Sequence, residues 1–193
     1  MSRLLDLNVR GLLDEIATEA PTPGGGAIAA LTGAAAAGLV EMAARNSKDW
    51  ELAGAVVAQA KVLRERLAEL APLNDEVYEQ ALAALALHEE VDRRSRRALI
   101  GTSLERAAAF PLGIAEAASN VAELAAVVAE DGDPQVRGDA AAAAMLALGA
   151  TRAAAHLVEI NLGVLEHDER LVKATRFAAD AAAASARTLA VAQ

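Results

Sequence analysis

The residues best placed to do chemistry in this chain are polar side chains standing where apolar ones are expected. Val56, Ala60, Leu63, Leu67 and Leu70 recur at alternating steps of four and three, and the series continues through Asn74, Val77, Ala81 and Ala84. Asn74 therefore interrupts an apolar helical seam, with Tyr78 four residues further along the same face and Asp75 beside it. A second seam, Val136, Ala140, Ala143, Ala147, Ala150, Ala154 and Leu157, ends on Asn161. Unpartnered buried polar groups are costly, so amides and carboxyls at such positions are candidates for ligand contact. Asp139, in the first turn of the second helix, also suits the helix dipole, as does Glu116 after Pro111. Asn161, near a helix end, can alternatively bond orphan carbonyls. Twenty-two residues separate Asp139 from Asn161, about 33 Å along a straight helix. They either serve different ends of an extended ligand or different roles, or meet across an antiparallel dimer.

The stretch Pro21-Thr22-Pro23-Gly24-Gly25-Gly26 (PTPGGG) precedes another helix. Its prolines stiffen the approach, and its glycines permit left-handed conformations and close backbone contact. Free N–H groups at a helix start attract an anion or a carbonyl oxygen. The plainer reading is a tight interhelical turn whose glycines serve helix packing. No Gly-Lys-Ser/Thr follows, so it is not a Walker loop.

These positions need helices to hold them, and the composition supplies helices. Ala and Leu dominate, aromatic residues are 2% of the chain, and the 5 prolines stand at 21, 23, 72, 111 and 134. Helical segments are expected at about 2–19, 24–46, 48–88 with a kink or break at Pro72, 90–108, 111–131, 134–163 and 168–191. With 193 residues and no linker signal, one domain spanning 1–193 is expected, large enough for a core without cross-links. The fold class is all-α, a multi-helix up-and-down bundle of long Ala-rich helices. The 139–151 stretch is apolar nearly all round and should be central or lie in a subunit interface, which predicts a homodimer.

The absence of cysteine excludes disulfides and thiolate metal sites. His88, His156 and His167 show no metal-ligand spacing, and they read as helix-end or solvated residues, so no metal site is expected. A net charge of −9, few aromatics and no long basic run argue against nucleic acid. The local RRSRR at 93–97 lies beside Glu89, Glu90 and Asp92 and reads as a solvated face. The opening MSRLLDLNVRGLLDE is too charged for a signal peptide, and stretches such as AAAAMLALGA are too short to span a bilayer. A cytoplasmic protein without a membrane partner is expected.

PTPGGG, NDEVY, RRALIGTSLERAAAFPLGIAE, GDPQVRGDAAAA and VEINL, in that order, resemble the cyclodeaminase/cyclohydrolase family over essentially the whole chain. The resemblance implies a homodimeric bundle and tetrahydrofolate one-carbon chemistry without a metal or other cofactor, a tetrahydrofolate derivative being the substrate. Cyclodeaminases close 5-formiminotetrahydrofolate to 5,10-methenyltetrahydrofolate with loss of ammonia; cyclohydrolases add water to the methenyl bridge to give 10-formyltetrahydrofolate. Both pass through a tetrahedral carbon between N5 and N10 and need a proton shuttle, work that suits carboxylates. On this resemblance PTPGGG and the 134–163 helix bound the pocket, with Pro23, Gly24, Gly25 and Gly26 touching the substrate, and Asp139 is acid, base or cation stabiliser. Asn74, Tyr78 and Asn161 orient the pterin or the one-carbon unit, and Arg96 receives the folate glutamate. The chain departs from the family pattern in carrying Ala27 for Ser, Gly101 for Gln, Gly138 for Ser, and Asn74 where an acid is common. The last moves the carboxylate, as a second catalytic candidate, to Asp75. A non-catalytic relative that binds a folate or another small molecule, or an interaction bundle, is the alternative.

Overall fold

Alanine decides how this bundle is built. Helices faced with methyl groups bury little area per residue, so they must approach closely and be covered on several sides. The computed structural model describes residues 4–86, 93–162 and 168–191. Among them every regular element is helical: α1 (Val9–Ile16), α2 (Gly25–Asn46), α3 (Ala53–Ala86), α4 (Arg93–Asp131), α5 (Arg137–Leu162) and α6 (Glu169–Val191), with short 3-10 turns at Leu4–Asp6 and Pro134–Val136.

α4 packs on all four of the other long helices, α2, α3, α5 and α6; α2 packs on α3, α4 and α5, while α6 closes the far side against α4 and α5. Small residues such as Ala30, Ala37 and Ala44 form one buried stripe of α2, and Ala27, Ala34, Ala36 and Ala43 extend burial on either side of it. A Cβ on Gly33 would stand 3.2 Å from the Leu67 Cδ1 atom, so the missing methyl makes room for that fully buried leucine. Buried hydroxyls tie the alanine faces together: Ser185 Oγ donates to the Ala144 carbonyl at 3.0 Å and Ser119 Oγ to the Phe177 carbonyl at 3.1 Å. Ion pairs on the rim join α3 to α4 through Arg66 and Glu116 and α6 to α4 through Arg187 with Glu123 and Glu130.

The prolines do not divide the helices. α3 continues through Pro72 without a break, and the segments expected at 90–108 and 111–131 are one helix through Pro111. An interior proline costs a helix about 3 kcal/mol. The helix persists because Ala107, Ala108, Ile114 and Ala115 are buried on both sides of Pro111, itself fully buried. Glu116 is consequently mid-helix and paired with Arg66 at 2.8 Å, not a helix-start carboxylate. The first expected helix shrinks to α1, which Asn8 caps by accepting the Gly11 N–H at 2.8 Å.

The expectation that no stretch could span a bilayer also fails. Gly25–Asn46, Gly101–Asp131 and Pro134–Leu162 are long and apolar enough to do so by length and composition. Their apolarity is mostly alanine, and much of it is buried against neighbouring helices.

Candidate functional site

The start of α2, the middle of α3, Pro111 of α4 and the last turn of α5 enclose a cavity of about 280 Å³. Pro21 and Gly24–Gly26 line it from the loop and the α2 start. Asn74, Asp75 and Tyr78 line it from α3, and Leu157, Ile160 and Asn161 from α5. Seven of the sequence candidates, Gly24, Gly25, Gly26, Asn74, Asp75, Tyr78 and Asn161, therefore converge on one space.

The loop is built as a close backbone approach, not as a left-handed turn. Among the described residues no glycine has a positive φ, and Gly24 takes the N-cap position of α2 in extended conformation with no side chain of its own to cap the helix. The need for glycine is steric at Gly26, where a Cβ would fall 2.6 Å from the Asn74 Cγ and Oδ1 atoms. The Asn74 amide thus lies directly against the first turn of α2.

Asp75 is 7% exposed. Its Oδ1 accepts the Gly24 N–H at 3.3 Å. Burial raises its pKa above the usual carboxylate value; hydrogen bonds from the Gly24 N–H and the Asn74 amide oppose this, and the negative charge of Glu79 adds to it. A carboxyl held between such opposing influences can take up and release a proton, and the α2 amides beside it suit an oxygen that gains negative charge.

Other candidates stand apart. Pro23 is half-buried in the loop, but Pro21 is the proline that lines the cavity. Asp139 is half-buried in the first turn of α5, at the opposite end of that helix from Asn161. Arg96 lies in α4 with its side chain outside the described residues, and His88 and His167 lie outside them altogether. His156 is exposed, 3.3 Å from Glu159, as a solvated pair. Ala27 is fully buried, so the first turn of α2 offers backbone alone there. Among the described residues no group of three or more His, Asp or Glu side chains could hold a metal ion.

Pro21 belongs to the PTPGGG stretch, and Leu157 and Ile160 to the 134–163 helix, that the sequence puts around the pocket, although none of the three is singled out there; Pro111 is the unexpected member, because its local sequence reads as a helix start.

Comparison with known proteins places this architecture. A methenyltetrahydrofolate cyclohydrolase from Methylorubrum extorquens is 31% identical over 192 residues, covering 93% of this chain and 92% of the relative. The crystal structure of formiminotetrahydrofolate cyclodeaminase from Thermotoga maritima superposes with a TM-score of 0.85 at 24% identity, covering 96% of this chain and 95% of the other, and so shares the fold. The model of the formiminotransferase-cyclodeaminase family matches residues 8–181. The chain belongs to the formiminotransferase-cyclodeaminase family.

Proposed function

We propose that this protein hydrolyses 5,10-methenyltetrahydrofolate to 10-formyltetrahydrofolate, with Asp75 moving the proton. The observation that carries this reading is the Asp75 carboxyl, buried yet cavity-lining and beside the α2 amides. The name of the Methylorubrum relative supports the hydrolytic direction. Water forms a C–O bond to the cationic methenyl carbon and passes one proton to the Asp75 carboxylate. The tetrahedral carbon then breaks its bond to N5, which receives that proton from Asp75, while the second water proton leaves to solvent. The amides of the α2 start face the oxygen as charge develops on it, and Asn74, Tyr78 and Asn161 orient the pterin and the one-carbon unit. No cofactor beyond the folate substrate enters these steps.

Closure of 5-formiminotetrahydrofolate with loss of ammonia is the second reading, favoured by the family to which the chain belongs. One assay separates the two. Loss of the methenyl chromophore from added 5,10-methenyltetrahydrofolate marks the hydrolase, and its appearance from 5-formiminotetrahydrofolate marks the deaminase. Folate binding in calorimetry with neither reaction leaves a non-catalytic binder, and no binding at all refutes the folate reading. Asp75→Asn should abolish turnover while retaining the helical fold.

We further infer a cytoplasmic homodimer of one-domain chains, engaging neither membrane nor nucleic acid. Leu5, Val9, Leu13 and Ile16 fall at helical spacing and are all exposed, as are Met145, Leu146 and Ile160 on α5. Antiparallel pairing of α5 with its copy brings Asp139 of the partner subunit towards the Asn161 end of the site, where its carboxylate would face the cationic substrate; Arg96 would receive the glutamate tail. Sedimentation showing a monomer at micromolar concentration with full activity would remove the dimer and this role for Asp139.

A further inference from the structure

The PTPGGG loop is held to α3 at two points, not one. The Gly24 N–H donates to Asp75 Oδ1 at 3.3 Å, and the Thr22 Oγ1 hydroxyl donates to Glu79 Oε1 at 2.7 Å. Asp75 and Glu79 are four residues apart, hence one turn apart on the same face of α3. A single bond leaves a segment free to pivot, whereas two bonds one turn apart fix its orientation as well. The Thr22 bond is the shorter, and a charged acceptor makes it the stronger kind. Neither Thr22 nor Glu79 lines the cavity, so a bound ligand does not compete for this bond.

We propose that Glu79 is a positioning residue whose bond from Thr22 clamps the loop, so that the α2 amides and Asp75 face the same point in the cavity. The clamp serves the reading in which Asp75 moves the proton, and it rests on that reading for its kinetic consequence alone. The amides of Gly24, Gly25 and Gly26 are continuous with the clamped residues and move with them. Without the clamp the Gly24–Asp75 bond is the one hydrogen bond left, among the described residues, between the loop and this face of α3.

The test uses the whole chain and two readouts, NMR hydrogen exchange of the Gly24 amide in the unliganded protein and steady-state hydrolysis of 5,10-methenyltetrahydrofolate. Thr22→Val and Glu79→Ala should each weaken Gly24 protection about tenfold. Each should also lower kcat about tenfold with a smaller change in KM, since misplacement of a reacting group falls chiefly on the chemical step. Thr22→Ser, which keeps the hydroxyl, should restore both readouts. Thr22→Val combined with Glu79→Ala should leave Gly24 protection no weaker than either alone, because the same bond is removed only once. Unchanged Gly24 exchange in folded Thr22→Val and Glu79→Ala proteins overturns the clamp, as do additive losses of protection or failure of Thr22→Ser to restore it. Full turnover by Asp75→Asn would instead remove the proton role of Asp75, and the exchange result would still decide the clamp by itself.

Discussion

Gly26→Ala should leave the fold almost untouched while moving the pH dependence of catalysis. The new Cβ would fall 2.6 Å from Asn74 Cγ and Oδ1, well inside contact distance, so something must shift. What lies there is the end of a half-buried side chain, and the cheapest response is rotation of the Asn74 amide away from α2. Holding a side chain off its preferred rotamer costs about 0.5–1.5 kcal/mol. Replacing glycine by alanine in a helix returns up to about 1 kcal/mol, less in the first turn. The net change is within about 1 kcal/mol, or about 4 °C in Tm for a chain of this size. The site responds differently. The Asn74 amide is one of two donors that oppose the effect of burial on Asp75, and its departure lets the Asp75 pKa rise further. A base with a higher pKa is deprotonated only at higher pH, so the acidic limb of the rate profile for methenyl hydrolysis should move upward in pH. Paired measurements, the rate profile by absorbance and Tm by circular dichroism, check both halves. An unmoved limb at unmoved Tm refutes the support of Asp75 by Asn74. A Tm loss of about 10 °C or more refutes the rotation, since α2 and α3 would then have separated instead.

Three further outcomes follow from single groups. Asp75→Asn should be more stable than the parent at neutral pH: a carboxyl whose pKa is raised by burial disfavours the folded state when ionised, and the difference should fade in urea titrations as pH falls towards its ordinary value of 3.8. Ser47→Ala removes a buried hydroxyl that donates to the Ala43 carbonyl at 3.1 Å and accepts the Asp133 N–H at 2.8 Å. It should cost about 1–3 kcal/mol, visible in thermal denaturation, with turnover unchanged because it lies at the other end of α2. Asp168, whose pKa the Arg170 guanidinium lowers to about 2, contributes stability that is complete above 3.8 and is lost as pH falls through about 2. Asp168→Asn should therefore be weaker at neutral pH, and its unfolding midpoints should converge with the parent's near the acid end; parallel curves throughout would refute this.

Much of the fold was legible because helix formation here is a local property. The α2 boundaries and the long apolar seams follow from composition and spacing; Asn74 and Asn161 stand out as polar breaks in those seams, with Tyr78 and Asp75 beside Asn74. The misreadings arose where tertiary packing overrides a local rule. Pro111 obeys no helix-start rule because buried alanines on either side hold the helix through it. Thr22 and Glu79 lie 57 residues apart, so no spacing in the chain announces their bond.

Gly26 and Asn74 show most clearly what the sequence alone withholds. In the sequence they are separate features: one glycine of the PTPGGG stretch, and an amide on an apolar seam. The backbone freedom that glycine usually signals is not used, since no described glycine has a positive φ. The two anomalies share one cause, which is that the amide occupies the space a Cβ at position 26 would fill. That contact sets the α2 amides beside Asp75, and it binds the choice of residue at 26 to the choice at 74. A larger side chain at 26 therefore displaces the amide at 74, and Asn74→Ala in the Gly26→Ala background should relieve the overlap without bringing the acidic limb back.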